Sequence, residues 1–203
     1  MTPLVMPELY SWRRTMSDQR RSRAISGRPL EACAIGVDLG GTDLKIGLVD
    51  RELNIIDRVV TRTGDGVSPC DIVESISVAI VALTTDGCPI VGVGIGTPGP
   101  LNISKGIVLA SPNLPGWRDV HLRDEVADRV GLPVVLDNDA NVAAYGEYRC
   151  GLDDDTSDMV LLTLGTGLGA GTVLDGRILH GHFDNASEWG HTIVDVGGRP
   201  CNC

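Results

Sequence analysis

Aromatic side chains are scarce. Phe, Trp and Tyr make up 3% of the 203 residues, and Phe occurs once. The core must therefore be aliphatic, and few stacking platforms remain for unpaired bases. Basic charge is short as well. The net charge of −10 argues against a nucleic-acid or anionic-membrane partner. No apolar run reaches transmembrane length, and the start of the chain has no apolar h-region of a signal peptide. No Gly-x4-Gly-Lys-Ser/Thr sequence occurs, which excludes a P-loop. Hydrophobic content of 42% and charged content of 22% are those of a globular protein able to bury a substantial core.

The charge that is present is uneven. Residues 1–30 carry six Arg against Glu8 and Asp18, a balance of +4, which leaves the rest at −14. An Arg- and Ser-bearing leader of this kind resembles a transit peptide, but a disordered tail is the reading preferred here. Six cysteines occur. Cys33, Cys70, Cys88 and Cys150 stand singly among apolar neighbours, where reduced, buried cysteine is common. Disulfides are not expected in what reads as a cytoplasmic enzyme.

Against these absences stand two Gly-Thr turns. Ile35 and Val37 alternate with Gly36 and lead into Asp38-Leu39-Gly40-Gly41-Thr42, after which Ile46 and Leu48 resume the alternation. The pattern predicts strand, tight turn, strand. Gly40 and Gly41 can take positive φ, and bare backbone N–H groups let a phosphate come close. Asp38, at a strand end, is placed to hold a hydrated Mg²⁺. The apolar run Met159–Leu164 repeats the arrangement, followed by Gly165-Thr166-Gly167 and a second strand that ends at an Asp175-Gly176 turn. Two such hairpins suggest a duplicated architecture, each half presenting one phosphate-facing turn to a shared cleft.

Between them, Ser68-Pro69-x-Asp71 opens a helix with a capping hydroxyl and proline at the first position. Its apolar face is Ile72, Val73, Ile76, Ala79, Ile80 and Leu83. Residues 90–95 form a buried strand that runs into the Gly96–Pro100 turn. Leu122, Val126 and Val130 line a second helix ended by Gly131. The strand over 132–136 leads to Asp137-Asn138-Asp139 and a helix up to Cys150. Polar residues crowded between a buried strand and a helix N-terminus suggest a ligand, although an N-cap cluster would also account for them. His191, Cys201 and Cys203 are soft ligands at zinc-like spacing, one short of a closed site.

Seven motifs in order resemble the ROK family of bacterial sugar kinases and repressors: Asp38-x-Gly-Gly-Thr-x-x-Lys45, Gly94-Ile-Gly-Thr-Pro-Gly99, Pro112-Asn-Leu114, Asn138-Asp-Ala-Asn141, Gly165-Thr-Gly-x-Gly169, Glu188-x-Gly-His191 and Cys201-Asn-Cys203. The resemblance implies an α/β, actin-like ATPase (ribonuclease H-like) fold. Residues 35–151 would be its N-terminal domain and 152–203 the start of a second, incomplete one, behind a disordered basic leader of 1–34. It also implies phosphoryl transfer from ATP to a hexose hydroxyl, glucose first, with N-acetylated hexosamines and fructose open.

In that reading Asp139 is the general base. Asn138, Asp139, Gly99, Asn113, Glu188 and His191 contact the sugar. Gly40, Gly41, Thr42 and Lys45, with Gly165, Thr166 and Gly167, surround the ATP phosphates, and Asp38 holds Mg²⁺. His191, Cys201 and Cys203 join one further cysteine, absent here, around a structural Zn²⁺. The resemblance leaves a homodimer open and gives the chain no nucleic-acid or membrane partner. Two other readings compete. One is a sugar-responsive regulator, disfavoured because the 34 residues before Ile35 are too few for a winged helix-turn-helix. The other is a non-catalytic sugar-binding fragment.

Overall fold

The computed structural model describes residues 32–200, apart from Asp65, residues 85–87, Pro112, Asn113, Pro115, Asp153, Asp154 and Thr166. Almost all of the leader, together with Asn113, Thr166, Cys201 and Cys203, lies outside these residues.

The first sheet has five strands in the order β3-β2-β1-β4-β8. Strands β1 (Cys33–Leu39), β2 (Asp43–Val49) and β3 (Ile55–Arg62) form an antiparallel meander. β4 (Ile90–Thr97) and β8 (Val134–Asn138) add on parallel to β1. The alternation in β1 is strict, with Cys33, Ile35, Val37 and Leu39 buried and the residues between them exposed. β1 begins at Cys33, so Cys33 and Ala34, assigned from sequence to the end of the leader, belong to the sheet.

Helix α1 (Pro69–Leu83) buries the six predicted residues plus Ser77. Its N-cap is Ser68, whose hydroxyl accepts from the Asp71 N–H at 3.3 Å, a cap worth about 1 kcal/mol. Helix α2 (Leu122–Val130) ends at Gly131 in the left-handed conformation, φ 68°. Together α1 and α2 cover the aliphatic core of Ile35, Leu39, Leu44, Ile46, Ile76 and Val126. A small sheet of β5 (Leu101–Asn102), β6 (Ile107–Ala110) and β7 (Arg118–Val120) is inserted after β4.

Two expectations are corrected. Cys33 and Cys88 form a disulfide with Cα atoms 6.0 Å apart. The cause is topological: Cys33 opens β1 and pairs in register with Ile90 of β4, two residues beyond Cys88. Gly40 is not in the positive-φ region. Glycine is needed there for space, since a Cβ would stand 3.1 Å from the Asp43 carbonyl oxygen.

Helix α3 (Asp139–Cys150) follows β8 directly and packs on the second sheet, β11-β10-β9. This sheet comprises β9 (Met159–Leu164), β10 (Leu168–Leu174) and β11 (Arg177–Ile178). A Cβ on Gly171 would come within 2.5 Å of the Ala140 carbonyl oxygen and 2.6 Å of Ala144 Cβ. Helix and strand thus approach at a distance that only glycine allows.

Candidate active site

Three parallel strands bring carboxylates to one edge. The ladder aligns Asp38 with Gly96, and Gly96 with Asp137, while Thr97 aligns with Asn138. Asp38 and Asp137 therefore flank Gly96, and Asp139 follows one peptide beyond the end of β8. Asn138 caps α3, its side-chain oxygen accepting from the Ala140 N–H at 3.0 Å and the Asn141 N–H at 3.3 Å. With the oxygen so used, its amide nitrogen faces Gly99, where a Cβ would lie 3.7 Å away.

Asp139 Oδ1 accepts from the Ala140 N–H at 2.8 Å. Burial holds its carboxyl above the usual carboxylate range and the negative charge of Asp38 adds to the rise; the Ala140 N–H opposes both. Burial outweighs the helix N-terminus here.

A cavity of about 450 Å³ is lined by Gly99, Asn138, Asp139 and Glu188 together with Gly165 and Gly167. The sequence-predicted sugar residues and the second hairpin thus share one space. His191, Asp38, Gly40, Gly41, Thr42 and Lys45 are not in its lining. The first hairpin stands at the neighbouring strand end. There Lys45 Nζ donates to Asp38 Oδ2 at 2.9 Å, and this bond raises the Lys45 ammonium above its ordinary value. Asp38 is half exposed, and an oxygen donor reachable from solvent suits a hydrated Mg²⁺.

Not all of the expected phosphate donors are free. The Gly40 N–H donates to the Asp43 carbonyl at 3.0 Å, and the Gly165 N–H to that of Gly167 at 2.9 Å. Both groups close their own turns. Sequence reasoning also missed Thr63, almost fully buried, whose hydroxyl donates to the Gly40 carbonyl at 2.7 Å and locks the first turn.

Other residues were missed in the cavity itself. Asn141, Asp184 and Asn185 line it. Asn141 is 3% exposed, and its Oδ1 has no hydrogen-bond partner among the described residues. Asp184 Oδ2 accepts from the Ile103 N–H at 2.9 Å. The signal for Asn141 was present in Asn138-Asp-Ala-Asn141. Asp184 and Asn185 carry none, because their place depends on a loop between distant elements. Of the zinc trio only His191 is described. Its Nε2 lies 3.8 Å from Glu188 Oε2, and among the described residues no three His, Cys, Asp or Glu side chains cluster as metal ligands.

The family model for the ROK family matches residues 34–203. The chain belongs to the ROK family. A ROK relative, the glucokinase of Streptomyces coelicolor, is 42% identical over 171 residues, covering 83% of this chain and 52% of the relative. The crystal structure of a ROK family glucokinase from Streptomyces griseus in complex with glucose and AMPPNP superposes with a TM-score of 0.72 at 40% identity, covering 81% of this chain and 51% of that one. A ROK family transcriptional regulator, a homolog of the E. coli MLC protein, superposes with a TM-score of 0.76 at 28% identity, covering 86% and 45%. The chain spans about half the length of the relatives it matches. ROK sugar kinases have the actin-like ATPase fold, and the sheet order here is part of it. Among the described residues no helix is long and apolar enough to cross a membrane.

Proposed function

We propose that this site serves ATP-dependent phosphorylation of a hexose hydroxyl, glucose first. One observation carries the reading: a single cavity joins Asp139, Asn138, Gly99 and Glu188 to the glycine turn at 165–167. A sugar hydroxyl is a weak nucleophile, and a carboxylate within reach of its proton is the required chemistry. Asp139 supplies it, with a raised proton affinity suited to a base that takes the proton late. Asn138, Glu188 and Gly99 orient the hydroxyls; Asn113 and His191 are assigned the same role from the family motifs.

The hairpins at 40–42 and 165–167 face the phosphates. With the Gly40 and Gly165 N–H groups engaged in their turns, the donors fall to the remaining N–H groups and to the Thr42 and Thr166 hydroxyls. Bound at Asp38, Mg²⁺ would offset phosphate charge. Two thiolates and an imidazole suit Zn²⁺, so Cys201, Cys203 and His191 are assigned to a structural zinc. The glucokinases among the relatives support glucose. The close superposition on a regulator supports a second reading, a hexose sensor without transfer.

The test is a coupled ADP-release assay alongside glucose titration, on the chain and on its Asp139→Asn variant. The kinase reading expects turnover to fall by about a thousandfold or more in the variant while glucose affinity stays within a few-fold. Glucose binding with no ADP release in the unmodified chain favours the sensor. Undiminished turnover in the variant removes Asp139 from the chemistry.

A further inference from the structure

His180 follows β11 and opens the loop 180–188, which carries Asp184, Asn185 and Glu188 to the cavity. Its Nε2 lies 2.7 Å from Oδ2 of Asp137, 43 residues away in sequence. The other oxygen of that carboxylate is already committed. Asp137 Oδ1 accepts from the Asn138 N–H at 2.7 Å and from Asn141 Nδ2 at 3.0 Å. Asp137 is therefore fixed by the strand end and by the first turn of α3. It is the anchor, and the loop is what it holds. An ionised carboxylate only accepts, so Nε2 of His180 carries the proton.

The loop needs holding. Asp184 and Ser187 take left-handed φ of 59° and 68°, a conformation uphill for a residue with a Cβ. The Ser187 hydroxyl is buried without a partner among the described residues. Besides His180–Asp137, the described ties are the Asp184–Ile103 bond, the Ala186 N–H donating to the His180 carbonyl at 3.0 Å, Asn185 Nδ2 donating to the Phe183 carbonyl at 2.6 Å and, at the far end, the Trp189 N–H donating to the Ser187 carbonyl at 2.7 Å, the His191 N–H to the Glu188 carbonyl at 3.0 Å and Trp189 Nε1 to Thr172 Oγ1 at 3.1 Å. The second of these depends on where His180 sits.

We infer that His180 is a positioning residue: through Asp137 it clamps the loop bearing Glu188 to the strand end bearing Asn138 and Asp139, so that both halves of the hexose pocket share one anchor. The inference rests on the hexose reading of the site. The Gly165–Gly167 turn between β9 and β10 is closed by its own bond from the Gly165 N–H to the Gly167 carbonyl, so nucleotide binding should change little when the clamp is lost.

The test compares the chain with His180→Ala and His180→Gln. Glutamine can place an N–H donor near the position of Nε2; alanine cannot. Glucose and AMPPNP are titrated separately, and amide hydrogen exchange is followed at Ile103 and Ala186. Losing a charge-assisted bond of this kind should weaken glucose binding by about tenfold and speed exchange at both amides by a similar factor. AMPPNP affinity should stay unchanged, and His180→Gln should recover both properties. Unchanged glucose affinity in His180→Ala, a parallel fall for AMPPNP, or failure of His180→Gln to rescue would overturn the inference. If the unmodified chain binds no glucose, the hexose reading fails by itself. The exchange data then still decide the clamp: unaltered exchange at Ile103 and Ala186 in His180→Ala refutes it.

Discussion

Asp139 is the first residue of a helix, where the backbone favours negative charge, yet its carboxyl is harder to ionise than usual because it is buried and faces Asp38. Two consequences follow in opposite directions. In its proposed role as base it has to be ionised, and on that proposal kcat/KM should fall on the acid side with a midpoint above the ordinary Asp value of about 3.9, a limb read from a pH–rate profile. For stability, a pKa raised on folding means that the ionised form is disfavoured in the native state. Stability is lost as pH rises from the unfolded to the folded pKa. Asp139→Asn should therefore raise Tm at neutral pH, with the gain vanishing below about pH 4. Ser187→Gly should also stabilise, by about 1 kcal/mol, because it relieves a left-handed Cβ and removes an orphaned hydroxyl; denaturant unfolding measures it. Asp139 was legible in the sequence, because a polar triplet between strand and helix is a local pattern. Asp137–His180 was not, since neither side chain is informative until the fold closes the 43 residues between them.

Most elements could be read from periodicity. The apolar face of α1 was legible residue by residue, and its Ser68-Pro69 start fixed the cap. Both Gly-Thr hairpins were visible as alternation broken by glycine. The small sheet of β5, β6 and β7 was not legible as a sheet, because strands of two to four residues show no period. The positive-φ expectation for Gly40 was wrong, since it serves spacing, and Gly171 admits a helix, a role no local pattern announces. At Gly171 an added methyl meets the Ala140 carbonyl, a backbone atom that cannot rotate away. Gly171→Ala should cost about 2 kcal/mol by overpacking and shift the thermal midpoint accordingly. Gly169 differs, since a Cβ there meets the Thr163 hydroxyl at 2.6 Å, a side chain that a second substitution can shorten.

At the scale of the whole molecule, the family and the fold class were accessible from ordered motifs, and the sheet order and the redox state were not. Composition pointed to reduced thiols; parallel pairing of β1 with β4 brings Cys33 and Cys88 together. The bond closes a loop of 55 residues, for which chain-entropy reasoning gives about 4 kcal/mol. Cys88→Ser, or reduction, should therefore lower the denaturation midpoint by a corresponding amount while Cys70→Ser, at an exposed free thiol, leaves it unchanged. The alignment of Asp38, Gly96 and Asp137 across three strands has another kind of consequence. Hydrogen-bond ladders set it, and the length of chain between the strands does not. Insertions after β4, where the small sheet already sits, can accumulate without disturbing this carboxylate edge. Deleting a single residue inside β8 would turn Asp137 to the opposite face, so indels are tolerated or lethal according to which side of a strand boundary they fall on.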